Sequence, residues 1–253
     1  MAGGASAAQL GLGYGLGIIS WIPASAPAGE AAWVASLPWS PWIAATSVLV
    51  GAICADRLAG SPGPQSKVGD AAAWVGRGGT ERYGPLGTAL WRLVLALAAA
   101  IGAALTIALV SVPARSAVRA DSFAPETIAG AYAAVGVLAG LLLAFGALSS
   151  AAVAANIVVT AGWLWLLAVL ALVHGVLAGR GIESAQLGVW QITMDGPWLR
   201  DLYVPGTVLS LAAALIIGAL AAWPAARREV NRVGVAISGA LGPLLIALAY
   251  LLA

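Results

Sequence analysis

The residues that could carry chemistry in this 253-residue sequence are concentrated around the end of one long apolar run. They are His174, Arg180, Glu183, Asp195, Arg200 and Asp201. Carboxylates and a histidine can act as general acid and base, and arginine can hold a phosphate group. Such a cluster would suit an enzyme that processes lipid at the outer face of a membrane. A solvated loop whose charges pair with one another is the simpler interpretation, and we favour it.

A second set of polar residues lies inside predicted membrane spans, where they could line a path. They are Thr106, Asn156, Thr160, His174 and Ser238. His174 is the only histidine, so it cannot supply both axial ligands of a haem. Its imidazole, with an unperturbed pKa of about 6.5, could shuttle a proton. A hydrogen bond to a neighbouring helix is the structural alternative for the same ring.

Other sites are excluded by what the sequence lacks. It contains no G-x-x-x-x-G-K-[ST], H-E-x-x-H or G-x-S-x-G motif, so a phosphate-binding loop, a zincin helix and a nucleophile elbow are absent. Cys54 is the only cysteine, which excludes a disulfide within the chain and a cysteine cluster for metal. The only lysine, Lys67, lies in a predicted loop, so no span can carry a retinal Schiff base. We predict no cofactor and no metal.

The composition predicts an all-α integral membrane protein. Hydrophobic residues make up 61% of the chain and charged residues only 9%, whereas soluble domains carry about 25% charged residues. The charges cluster between apolar runs of the length that crosses a bilayer. Acidic residues are missing from the middle of these runs, which argues against a proton relay. Because the basic residues lie beside spans rather than in one stripe, we predict no nucleic-acid partner.

The apolar runs predict about seven transmembrane helices in a single domain covering residues 1–253. Their approximate spans are 5–24, 36–55, 86–112, 126–147, 150–178, 205–222 and 233–253. The stretch 127–178 carries no Asp, Glu, Lys or Arg and would make one helix of about 78 Å, against a hydrocarbon core of about 30 Å. It must turn back once, and Gly146–Ser150 is the best place for the turn.

The first predicted span contains a pattern of glycines that favours close helix packing. Gly11, Gly13, Gly15 and Gly17 form two overlapping G-x-x-x-G pairs. A signal peptide is the competing interpretation, since residues 24–26 resemble a small-residue cleavage site. Residues 1–9 contain no lysine or arginine, however, which disfavours a secretory signal.

Orientation follows from lysine and arginine, which are retained in the cytoplasm. The predicted loops 56–85 and 223–232 hold seven of them, and the loops on the opposite side hold four. This places the N-terminus in the cytoplasm and the C-terminus outside. The larger cytoplasmic loop could dock a partner through Asp70, Trp74, Arg77 and Arg82.

Function is predicted only as a class. The leading hypothesis is a non-catalytic component of the plasma membrane of a bacterial cell, either the permease part of a transporter or a structural subunit of a larger complex. Its expected partners are membrane lipids and other membrane or cytoplasmic subunits. An outer-leaflet enzyme using His174, Glu183, Asp195 and Asp201 and a ligand-binding seven-helix sensor are the alternatives. No motif indicates a particular family.

Overall fold

The computed structural model describes residues 1–60, 85–119, 123–177 and 212–220, together with Trp223 and Leu244. All regular elements in these ranges are helices. They are α1 (Ala2–Gly15), α2 (Gly29–Ser36), α3 (Trp39–Gly60), α4 (Pro85–Ala103), α5 (Leu105–Ala114), α6 (Pro125–Ala147) and α7 (Ala151–Leu177). A short 3₁₀ turn, Arg115–Ala117, follows α5. Of the predicted sixth and seventh spans, only residues 212–220 and Leu244 are described, and they are helical.

Four stretches of the described residues are long and apolar enough to cross a membrane. They are Gly29–Ala59, Leu86–Ala117, Pro125–Ala147 and Ala151–Leu177. The described chain is therefore all-α with four candidate spans, which fits a multi-pass membrane protein. The total of seven spans stays a prediction.

The hairpin between the fourth and fifth predicted spans lies where the sequence placed it. α6 ends at Ala147 and α7 begins at Ala151, so the chain turns within residues 148–150. α6 begins with Pro125 in its first turn and Glu126 beside it, as expected for a helix N-terminus. The small and polar residues of this turn let the uncharged stretch fold back on itself.

α1 differs from the predicted first span, 5–24. The helix ends at Gly15, and Gly17 adopts a left-handed backbone with φ of 71°, which lets the chain turn away. At 14 residues α1 is about 21 Å long, shorter than a hydrocarbon core of about 30 Å. Ile18 and Ile19 continue the apolar run in sequence, but they are buried after the turn rather than on the helix.

The two ends of the helical bundle are distinguished by their charges. α3 and α6 both run from the end that carries Arg119 to the end that carries Asp56. α4, α5 and α7 run in the opposite direction, from the Asp56 side to the Arg119 side. We call these the Arg119 end and the Asp56 end. α3 continues past the predicted limit of residue 55 to Gly60, so Asp56 lies on this helix and is electrostatically coupled to Arg57 and Arg92.

The core of the bundle is built around α3, which packs most extensively against α6. Their backbones meet at two glycines: a Cβ placed at Gly136 would lie 2.3 Å from the Pro41 carbonyl oxygen, and one at Gly140 would lie 2.8 Å from Ala45 Cα. Large apolar side chains of α4 and α6 point outward, among them Ile101 and Leu142, which are 77% and 76% exposed. This outer surface suits lipid chains better than water.

Candidate functional site

α1 lies against the middle of two candidate spans and runs parallel to α5. Ala2 packs against Gly51 of α3 and Gly102 of α4, where a Cβ would lie 2.5 Å and 3.3 Å from the Ala2 Cβ. Further along, the Tyr14 hydroxyl donates to the Leu109 carbonyl at 3.3 Å. The residues of α1 therefore extend from mid-depth of the bundle toward the Arg119 end, and they bring the polar side chains of α1 into its interior.

One side chain of α1, Gln9, joins three helices by hydrogen bonds. Thr46 Oγ1 on α3 and Trp165 Nε1 on α7 donate to Gln9 Oε1 at 3.0 Å and 2.9 Å. Gln9 Nε2 donates to Ser47 Oγ at 3.0 Å. Thr46 and Ser47 are buried, whereas Gln9 and Trp165 are half-buried. We call Gln9, Thr46, Ser47 and Trp165 the Gln9 network, and it is the densest polar arrangement inside the described bundle.

Further tryptophans of α3 and α7 lie close in sequence to members of the Gln9 network. The rings of Trp39 and Trp165 pack with centroids 4.9 Å apart, which joins α3 to α7 beside Gln9. Trp42, one turn further along α3, is 4% exposed, and its buried Nε1 has no hydrogen-bond partner among the residues that the structure describes. The Trp163 Nε1 on α7 is also buried without a hydrogen-bond partner among the described residues. An indole N–H that is buried without an acceptor is costly, so these groups are available to an acceptor that reaches them.

A second polar contact lies where α1 crosses the junction of α4 and α5. Thr106 Oγ1 donates to Ser6 Oγ at 2.7 Å, and Ser6 Oγ donates to the Ala2 carbonyl at 3.1 Å. Both hydroxyls are fully buried. α4 and α5 form one continuous candidate span, and at their junction Ala104 keeps a right-handed helical backbone while the Ile107 N–H bonds to the carbonyl three residues back in the tighter 3₁₀ manner. The buried hydroxyls thus coincide with a local 3₁₀ tightening of this helix at mid-depth.

The Arg119 end is closed by the segment between α1 and α2. The Ala24 N–H donates to the Ala117 carbonyl at 2.8 Å, and Ser116 Oγ donates to the Trp21 carbonyl. Arg119 lies over the Trp33 ring, 4.9 Å from its centroid, and pairs with Glu30 at 2.7 Å. These contacts fix the position of residues 16–28 and therefore hold the C-terminal end of α1 in the bundle.

The predicted polar path falls partly within the described residues. Thr160 Oγ1 donates to Asn156 Oδ1 at 2.9 Å, and both side chains are fully buried on α7. His174 is 18 residues, or five turns, beyond Asn156, which places it on the same face about 27 Å away. The structure therefore brings Asn156 and Thr160 together and leaves His174 near the other end of α7. Thr106 belongs to the contact with Ser6, and Ser238 lies outside the described residues.

The residues of the predicted enzyme site and docking loop lie outside the part of the chain that the structure describes, except His174. They are Asp70, Trp74, Arg77, Arg82, Arg180, Glu183, Asp195, Arg200 and Asp201. Both hypotheses stay predictions. Within the described ranges, no group of three or more His, Cys, Asp and Glu side chains is placed to bind a metal ion.

The four predicted packing glycines have different environments. A Cβ at Gly13 would lie 2.8 Å from Ile19 Cδ1, so this position packs against the chain itself. A Cβ at Gly11 or Gly15 would meet nothing within 4 Å. Gly17 serves the turn after α1. Packing of Gly11 and Gly15 against another chain stays a prediction.

Sequence reasoning missed the Gln9 network and the glycines of α6. Gln9, Thr46 and Ser47 are polar residues within apolar runs, which is the signal that could have indicated them. Gly136 and Gly140 form a G-x-x-x-G pair of the kind that was considered only in α1. Comparison with protein-family models, with curated proteins and with solved structures gives no match.

Proposed function

We propose that this chain is the permease part of a transporter in the plasma membrane of a bacterial cell. The observation that carries the proposal is the set of buried, uncharged polar side chains at mid-depth, where α1 meets the junction of α4 and α5. In lipid, polar groups are tolerated only where they are enclosed by protein or line a cavity. Many transporters have their substrate sites at this depth, near the middle of the bilayer.

The chemistry of these side chains favours an uncharged solute that makes hydrogen bonds. The Gln9 network and the Ser6–Thr106 pair offer hydroxyl and amide groups, and the buried indole N–H of Trp42 adds a donor. The described residues at this depth include no Asp, Glu, Lys or Arg. A charged substrate would need a compensating charge, because an unpaired ion is costly in a low-dielectric interior.

The proposed topology keeps the orientation indicated by the basic residues. The Asp56 end faces the cytoplasm, and after seven helices the C-terminus lies outside. α1 begins at mid-depth with its N-terminal end directed toward the Asp56 end, which agrees in direction with a cytoplasmic N-terminus. Membrane lipids and an energy-coupling subunit are the proposed partners, the latter because the sequence contains no phosphate-binding loop of its own.

A structural subunit of a larger membrane complex is the second candidate, and a specific surface favours it. α1 exposes Gly4, Gly11 and Gly15, and a Cβ at any of them would meet nothing within 4 Å. Faces of small residues let a second membrane helix approach closely. In this case the contacts of Gly11 and Gly15 are made with another protein.

Purification from the native membrane tests both candidates. The tagged full-length protein is extracted in a mild detergent, and proteins retained in fixed ratio are identified by mass spectrometry. A permease predicts a companion that couples energy, such as an ATPase. A companion without such activity that is released by Gly11→Leu, but not by the matched Gly146→Leu at another open glycine, would support the structural subunit instead. Recovery of the protein alone would contradict both proposals.

A further inference from the structure

Trp165 of α7 contacts both α1 and α3. Its Nε1 donates to Gln9 at 2.9 Å, and its ring packs on Trp39 of α3 with a centroid separation of 4.9 Å. Gln9 in turn is held to α3 by two separate hydrogen bonds, from Thr46 and to Ser47. The bond between Gln9 and Trp165 is therefore a polar link between α1 and α7 that can break while Gln9 keeps its bonds to α3.

α3 and α6, by contrast, are packed too closely to slide past one another. At Gly136 and Gly140 the backbone of α6 lies against Pro41 and Ala45 of α3 with no room for an added Cβ. Close-packed interfaces of this kind move as a unit, because separating them loses all their contacts together. The pair α3–α6 is therefore the rigid part of the described bundle.

The hydrogen bond to Trp165 is also the replaceable one. Gln9 Oε1 lies within hydrogen-bond distance of two donors, Thr46 Oγ1 at 3.0 Å and Trp165 Nε1 at 2.9 Å, so Thr46 can still donate to this oxygen when the indole N–H leaves. Gln9 is half-buried rather than enclosed. A water molecule or a polar solute that reaches Gln9 can take the place of the indole N–H, and such an exchange is nearly balanced in energy.

We propose that Gln9 is a latch between α7 and the rigid α3–α6 pair: its hydrogen bond with Trp165 holds α7 in the observed position, and exchange of that bond for a polar solute lets α7 move. The inference rests on the proposed permease function, for which it supplies the moving element. Alternating access in many transporters is a rocking of one group of helices against another around a central site.

Distances between spin labels test the latch without measuring transport. The native Cys54, exposed on α3, carries one label. A second label is placed on α7 by Val173→Cys, or on α6 by Val135→Cys as the control for the rigid pair; both valines are exposed, at 48% and 63%. Pulsed electron paramagnetic resonance of the full-length protein in lipid nanodiscs then gives the distance distribution for each pair.

Three substitutions are compared in these two labelled proteins. Gln9→Leu and Trp165→Phe both remove the latch bond, and Trp165→Phe keeps an aromatic ring against Trp39. Thr46→Val is the matched control, because it removes a bond of Gln9 to α3 and leaves the bond to α7 intact. We expect the first two to shift the α3–α7 distribution or broaden it at least about twofold, Thr46→Val to leave it unchanged, and the α3–α6 distribution to stay constant in all.

Two results would overturn the latch. One is an α3–α7 distribution that stays unchanged in both Gln9→Leu and Trp165→Phe. The other is a change that appears equally in the α3–α6 pair or with Thr46→Val, since this would indicate general loosening of the bundle. These distances do not depend on a substrate. If the latch is refuted, the permease proposal is still tested by the analysis of companion proteins above. If the permease proposal is refuted, the distances still show whether the Gln9–Trp165 bond holds α7.

Discussion

Replacing Gly136 with alanine should destabilise the bundle, because α6 lies against α3 with its backbone at this residue. A Cβ at position 136 would lie 2.3 Å from the carbonyl oxygen of Pro41 and 2.5 Å from its Cα. Ordinary carbon contacts are about 3.5 Å or longer, so the helices would have to separate by roughly 1 Å. Neither obstructing atom belongs to a side chain that could rotate away.

The size of the effect follows from two opposing contributions. Overpacking of this kind costs typically about 1–3 kcal/mol, and separation of the helices adds lost contacts along α6. Alanine gains about 1 kcal/mol over glycine as a helix former. We expect Gly136→Ala to lower the free energy of unfolding by roughly 1–2 kcal/mol.

Gly146 provides the matched control on the same helix. A Cβ at this position meets nothing within 4 Å, so Gly146→Ala should keep the helix-propensity gain and raise stability by up to about 1 kcal/mol. Unfolding is followed by tryptophan fluorescence during titration of a mild-detergent solution with a denaturing detergent. If Gly136→Ala proved as stable as Gly146→Ala, the close α3–α6 contact and the rigid pair built on it would be refuted.

Two further predictions concern the placement of α1 and the Arg119 end. Gly51→Val should displace α1, because a Cβ there would already lie 2.5 Å from that of Ala2, and proteolysis of α1 should become faster than in the wild type. Arg119→Gln should lower the free energy of unfolding by up to about 1 kcal/mol and therefore lower the unfolding midpoint slightly. The Arg119 side chain is only 13% exposed and contacts both the Trp33 ring and the Glu30 carboxylate. Arg115→Gln, at a 69% exposed side chain, should change the midpoint less, and equal effects would contradict the closing role of Arg119.

Local patterns predicted the part of the fold that depends on local chemistry. The length of the uncharged stretch required a hairpin, and the small and polar residues after Gly146 indicated where the chain turns. Pro125 and Glu126 marked the start of α6 for reasons of backbone geometry and helix dipole. These features need no knowledge of which helices become neighbours.

The remaining features depend on contacts between distant parts of the chain. Hydropathy continues unbroken from α1 through Ile18 and Ile19, so it does not reveal the left-handed turn at Gly17. G-x-x-x-G pairs occur in both α1 and α6, and only tertiary packing decides that Gly136 and Gly140 meet α3 while Gly11 stays exposed.

The Gln9 network shows the same limit in the candidate site. Gln9 bonds to Ser47 and Trp165, which are 38 and 156 residues away in sequence. Its polar type within an apolar run marks it as unusual, but spacing along the chain cannot identify its partners. A polar residue in a predicted span is therefore informative as a signal, whereas its role requires the arrangement of the helices.

Access of water to the Gln9 network is the most direct test of the permease proposal. In a Cys54→Ala background, Ser47→Cys places a thiol beside Gln9, Leu138→Cys places one on the outer apolar surface, and Ser25→Cys places one on an exposed segment at the Arg119 end. Each protein in lipid vesicles is treated with a small thiosulfonate that does not cross membranes. A permease predicts that Ser47→Cys reacts, more slowly than Ser25→Cys and clearly faster than Leu138→Cys; a thiol at position 47 as inert as the one at position 138 would contradict a solute path through this site.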